Sequence, residues 1–149
     1  MGNICRSPTA EVVFRHQVKV AGFEKIILID SAGTHDFHTG ERPDGRAQNT
    51  AEQHGYDMKG LIARQLHAND FNTFHHILAM DKQNFAILNK LCPPKQKYKL
   101  GMLMQYSKKF PEYEEVPDPY FGGHLGFEEV LNMIEDAGQE FLHHICKKS

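Results

Sequence analysis

The chain is poor in cysteine: Cys5, Cys92 and Cys146 are its only three, an odd number with no Cys-x-x-Cys pair. That argues against a disulfide framework and against paired-cysteine metal ligation, and it suits a cytoplasmic setting. No stretch approaches the ~20 apolar residues needed to cross a bilayer, and the start shows no basic segment leading into an apolar one. Neither a membrane span nor a secretory leader is expected. Charge of one sign is missing too. The 17 Lys and Arg against 19 Asp and Glu give a net charge of −2, which leaves no basic footprint for nucleic acid. Repeats, low-complexity tracts and linkers are absent, so one domain over residues 1–149 is expected. What the chain does have is 40 % hydrophobic and 24 % charged residues, a composition that folds.

Helices alternate with short apolar strands along the chain. Ser7-Pro8 reads as an N-cap followed by proline at the first helical position, where a missing N–H costs nothing. Ala10, Val13, Phe14 and Val18 then share one helical face, and Gly22 is the stop. Lys25–Ile29 reads as a strand, and the polar stretch from Thr34 to Asp44 as loop. Ala47–His54 is a helix closed by Gly55. Phe74–Met80 is the next strand, ended by Asp81, and Gln83–Leu91 is a helix stopped by Pro93-Pro94. Tyr98–Tyr106 is a weaker apolar run. In the last helix, Phe127, Val130, Leu131, Ile134, Phe141 and Ile145 form a stripe, with Glu128, Glu129 and Glu135 on the wet side. Alternation of this kind predicts an α/β fold with a parallel sheet covered by helices.

Two segments carry chemistry. Met1-Gly2-Asn3-Ile4-Cys5-Arg6-Ser7-Pro8 runs directly into a helix N-terminus, which presents unpaired N–H groups and about half a positive charge. Gly2 permits a tight turn, Asn3 tolerates a left-handed backbone, and Arg6 adds a fork that binds two phosphoryl oxygens at once. The segment reads as a phosphate cradle; the alternative is an ordinary capped helix with an exposed arginine. Near the other end, Asp118-Pro119-Tyr120 lies in a turn-rich stretch. Asp118 is either a general acid on a proline-stiffened loop or a plain turn aspartate.

In order and spacing, GNICRSPTAE (Gly2–Glu11), SAGT (Ser31–Thr34), AMD (Ala79–Asp81) and DPYFGG (Asp118–Gly123) resemble the low-molecular-weight protein tyrosine phosphatases. The resemblance covers nearly the whole chain. It implies a three-layer fold whose four-stranded parallel sheet is flanked by helices, and phosphotyrosine hydrolysis through a cysteinyl phosphate. Gly2, Asn3, Ile4, Cys5, Arg6 and Ser7 then line the phosphate site, with Asn3 and Ser7 helping to hold the loop. Arg6 stabilises the equatorial oxygens, and Asp118 protonates the departing tyrosyl oxygen before activating water. Phe37 on one side, with Tyr120 and Phe121 on the other, forms the mouth of the substrate site. A hydrophobic loop anchor is the alternative for Phe37. Some relatives have a histidine before Ala-Arg-Gln where this chain has Leu61. No metal or other cofactor is implied, and the implied partner is a phosphotyrosine-containing protein or a small aryl phosphate.

The family pattern, Cys-x5-Arg, puts the nucleophile one position ahead of Met1, and Cys5 is the second cysteine of that loop. The expectation is therefore a phosphatase domain whose first strand and nucleophile are absent from the chain as written. The first explanation is a longer reading frame with its start upstream. The others are a catalytically dead module that binds phosphate or phosphotyrosine, and a deliberate truncation. Arsenate reduction on the same scaffold needs further cysteines in a mobile segment, and only Cys92 lies near the middle of the chain. Two other signals are set aside. Arg6 stands where N-myristoylation wants Ser or Thr. The histidine pairs His75-His76 and His143-His144 lack Cys or acidic partners at ligand spacing.

Overall fold

In the computed structural model the described residues are 5–35, 38–119 and 126–147. Helices α1 (Arg6–Val20), α2 (Gly45–Gln53) and α3 (Asp70–Thr73) precede strand β1 (Ile77–Ala79); α4 (Lys82–Leu91), β2 (Leu100–Met102) and α5 (Phe127–Lys147) follow. Short 3-10 turns at Pro94–Lys99 and Leu103–Tyr106 flank β2. The strands pair in parallel, with Ile77 opposite Leu100, Leu78 opposite Gly101 and Ala79 opposite Met102.

The period-2 alternation of strands builds the layers. Leu78 and Met80 face a cluster in which Val13 of α1 packs on Val130, Leu131, Met133, Ile134 and Ala137 of α5. Ile77, Ala79, Leu100 and Met102 point the other way, onto Phe71 of α3 and Leu88 and Cys92 at α4. Helices thus cover both faces of a parallel sheet, the expected α/β architecture. A third cluster fixes α2 to α1 through Val12, Ala47, Ala51 and Met58.

Two strands are paired among the described residues. Several element boundaries expected from the sequence need correction. Lys25–Ile29 forms no strand: Phe23 accepts the N–H groups of Ile26 and Ile27 in a turn, and Ile26 and Leu28 are 76 % and 71 % exposed. A β-branched run has strand propensity only where a neighbouring ladder receives it, and no described segment pairs with this one. The Phe74–Met80 strand shrinks to Ile77–Ala79, and the Tyr98–Tyr106 run divides into the end of one 3-10 turn, strand β2 and a second 3-10 turn. Helix α1 starts two residues earlier than Ser7-Pro8 suggests. The carbonyl of Cys5 accepts both the amide (3.2 Å) and the hydroxyl (2.7 Å) of Thr9, so Pro8 falls within the first turn, where it breaks no hydrogen bond. Asp44, with its carboxylate on the Arg46 N–H at 2.8 Å, caps α2. The expected stop at Gly55 is present, in the left-handed region at φ +86°. On α5, Glu128 and Glu129 are exposed as expected, but Glu135 is half-buried and accepts the Tyr56 hydroxyl at 2.5 Å.

Candidate active site

The first helical residue, Arg6, does not extend into solvent. Its side chain is 5 % exposed and reaches Asp81, two residues past the end of β1. There Nη1 donates to the Val116 carbonyl at 2.8 Å and pairs with Asp81 Oδ2 at 2.9 Å, while Nη2 lies 3.8 Å from Asp118 Oδ2. An arginine fork fits such a position because its planar donors satisfy several acceptors from one buried point. The reading of Arg6 as an exposed arginine is therefore corrected, and the two carboxylates fix its orientation.

Asp81 serves two elements. One oxygen holds Arg6; the other accepts the Asn84 N–H at 2.7 Å and caps α4. Asn84, itself buried, donates its side-chain amide to Thr34 Oγ1 at 3.1 Å. Ser31, at the other end of the SAGT segment, donates to the buried Glu11 carboxylate at 2.6 Å, which Arg15 also engages. The four segments that carried the resemblance thus converge: α1, residues 31–34, Ala79–Asp81 and Asp118. Sequence reasoning missed Asp81 as the partner of Arg6. Its position within AMD, ahead of a helix, marks it as a cap but gives no sign of its second contact.

Cys5 is buried at the N-terminus of α1. Burial pushes its thiol up to about 12, and the carboxylates of Asp44 and Asp118 push the same way against the smaller opposing effect of Arg46. Near neutral pH the group is a thiol, although a helix N-terminus ordinarily favours thiolate. Beside it lies a pocket lined by Thr9, Ala47, Ala51, Pro119 and Phe127. The Arg46 guanidinium sits over the Phe127 ring, 4.9 Å from its centre.

Ser7 is half-buried in the first turn of α1. Gly2, Asn3, Ile4, Phe37, Tyr120 and Phe121 lie outside the described residues. Leu61 packs against the cluster of Val12 and Met58. Among the described residues, no three His, Cys, Asp or Glu groups come together as a metal site, and no helix is long and apolar enough to cross a membrane.

Comparison with known proteins agrees with this convergence. Residues 1–149 match the family described as low molecular weight phosphotyrosine protein phosphatase. The low molecular weight phosphotyrosine protein phosphatase of Schizosaccharomyces pombe is 40 % identical over 148 residues, covering 98 % of this chain and 93 % of the relative. Its counterpart from Rattus norvegicus is 40 % identical over 144 residues, covering 95 % and 89 %. Among solved structures, a protein tyrosine phosphatase from Entamoeba histolytica with Hepes in its active site superposes with a TM-score of 0.95. It is 34 % identical, with 99 % of this chain and 94 % of that one covered. With its four matched segments gathered around one buried arginine, this chain belongs to the low molecular weight phosphotyrosine protein phosphatase family.

Proposed function

We propose that Arg6 anchors the phosphoryl group of a phosphotyrosine-containing protein or a small aryl phosphate, and that Asp118 is the general acid. The observation that carries this reading is the buried Arg6 guanidinium reaching Asp118 across 3.8 Å at the N-terminus of α1. Fixed donors aimed at the equatorial oxygens stabilise the charge that develops in transfer. The helix N-terminus adds its own N–H groups. A thiolate attacks phosphorus, the bond from phosphorus to the tyrosyl oxygen breaks, and Asp118 gives that oxygen a proton. Water then attacks the cysteinyl phosphate, Asp118 takes the water's proton, and the P–S bond breaks to release phosphate and thiolate.

Cys5, buried and with its thiol pushed up to about 12, is a poor source of that thiolate; the family pattern, Cys-x5-Arg, takes it from a cysteine six residues before the arginine. Residues 1–149 act as one phosphatase domain, and a thiolate enzyme of this kind fits a cytoplasmic, reducing setting. The second reading is that the chain binds phosphate or phosphotyrosine without cleaving it. Arsenate reduction gains nothing from Cys92, which is buried against Phe71 and Leu88.

The test is phosphotyrosine hydrolysis by the 149-residue chain and by the same chain preceded by an apolar strand ending in cysteine. Turnover is expected only in the second, reduced about 100- to 10,000-fold by Asp118→Asn and abolished by Arg6→Ala. An Asp118→Asn variant with full turnover overturns the acid assignment.

A further inference from the structure

The segment that carries Asp118 is tied down a few residues before it, at a place no motif marks. Glu115 Oε2 accepts the backbone N–H of Lys82, the first residue of α4, at 2.6 Å. The next residue, Val116, is fully buried; its N–H donates to the Met80 carbonyl at 2.8 Å, and its own carbonyl accepts Arg6 Nη1 at 2.8 Å. Asp118 follows two residues later. The N–H groups at a helix start have no partner within the helix. At α4, Asp81 takes that of Asn84 and Glu115 takes that of Lys82. Two carboxylates thus divide one helix N-terminus. The first also holds the phosphate-anchoring arginine, and the second is the root of the segment that bears the acid. Glu114 differs, since its carboxylate meets the Lys82 ammonium out on the surface.

We infer that Glu115 is a positioning residue for Asp118, clasping the acid segment to the N-terminus of α4 so that Asp118 and Arg6 keep a fixed separation. This rests on the reading of Asp118 as the general acid. The clasp suits the task because its acceptor binds a backbone group on a rigid element. A bond from a charged acceptor to a backbone N–H is stronger than a neutral one, and a hinge held at residues 115 and 116 leaves Asp118 few torsions by which to swing.

The experiment compares Glu115→Ala, Glu115→Gln and Glu114→Gln in the 149-residue chain. It follows hydrogen exchange at the Lys82 and Val116 amides and the side-chain carboxyl ¹³C signal of Asp118 at one fixed neutral pH. Glu115→Ala should speed exchange at both amides by about tenfold and displace the Asp118 signal. Glu115→Gln, which keeps an acceptor for the Lys82 N–H, should restore most of both, and Glu114→Gln should leave both unchanged. An unmoved Asp118 signal in Glu115→Ala overturns the inference, as does a Glu115→Gln variant indistinguishable from Glu115→Ala. None of these signals depends on turnover. An Asp118 that moves with Glu115 but whose own replacement spares catalysis thus sinks the acid assignment and leaves the clasp standing.

Discussion

Replacing Asp81 by asparagine isolates the contact that organises the site. At 2.9 Å the pair Arg6–Asp81 is well shielded, its side chains 5 % and 17 % exposed. With an effective dielectric constant near 20, one charge pair at this distance is worth roughly 6 kcal/mol gross. The amide introduced by Asp81→Asn cannot replace both of the carboxylate's bonds. It has a single acceptor oxygen, and the amide nitrogen opposite presents a donor to another donor, so it loses either the cap on Asn84 or the bond to Arg6. Removing one partner of a buried pair typically costs about 3–5 kcal/mol. Here the Val116 carbonyl and Asp118 remain near Arg6, so about 2–4 kcal/mol of destabilisation is expected. For a chain of this size that lowers Tm by roughly 5–15 °C. Asp81→Ala should cost about 1 kcal/mol more through the lost cap. Urea unfolding of the two variants, with Arg6→Gln and the double variant completing a cycle, gives the coupling energy. A stability within about 0.5 kcal/mol of the parent in Asp81→Asn, or a coupling near zero, refutes the view that Asp81 fixes Arg6.

Other consequences follow from the same geometry. Iodoacetamide at pH 8 should label the half-buried Cys146 and spare Cys5, as read by peptide mass; rapid labelling of Cys5 contradicts a thiol pushed up to about 12. Because that value is raised in the folded state, the stability it contributes is complete below the unfolded value near 9 and is lost as pH rises toward about 12. Unfolding midpoints should accordingly fall across that window, and less steeply in Cys5→Ser. Leu131→Ala, at a side chain 1 % exposed between α5 and α1, should cost about 2–5 kcal/mol in urea unfolding, and a cost below ~1 kcal/mol would place the core elsewhere. Tyr56→Phe should lower the unfolding free energy by about 1 kcal/mol in the same assay, since the Glu135 carboxylate then loses the hydroxyl that approaches it at 2.5 Å.

Much of this arrangement is written in local patterns. The α5 stripe is legible because a helix repeats its buried face every three to four residues, and Val130, Leu131, Ile134 and Phe141 are all buried. The segment carrying Arg6 stands out because glycine, asparagine and arginine leading into a helix have few other uses together, and Arg6 is buried there against Asp81 and the Val116 carbonyl. What escapes is non-local. Whether Lys25–Ile29 becomes a strand depends on a neighbour that the run itself does not encode, and Glu135 reads as wet until Tyr56 is brought to it by the fold. The second contact of Asp81 escapes for the same reason: capping is a relation between neighbours, whereas Arg6 reaches Asp81 only after α1 and β1 have met. The burial of Cys5 follows from α2, whose Ala47 and Ala51 border the same pocket.

The central claim is that Arg6 is a phosphate anchor held ready by carboxylates. Titration of the 149-residue chain with inorganic phosphate, followed through the side-chain N–H signals of Arg6, tests it most directly. The account predicts saturable binding that shifts those signals, that phosphotyrosine competes away, and that Arg6→Ala removes. Absence of saturation, or equal binding by Arg6→Ala, would contradict it.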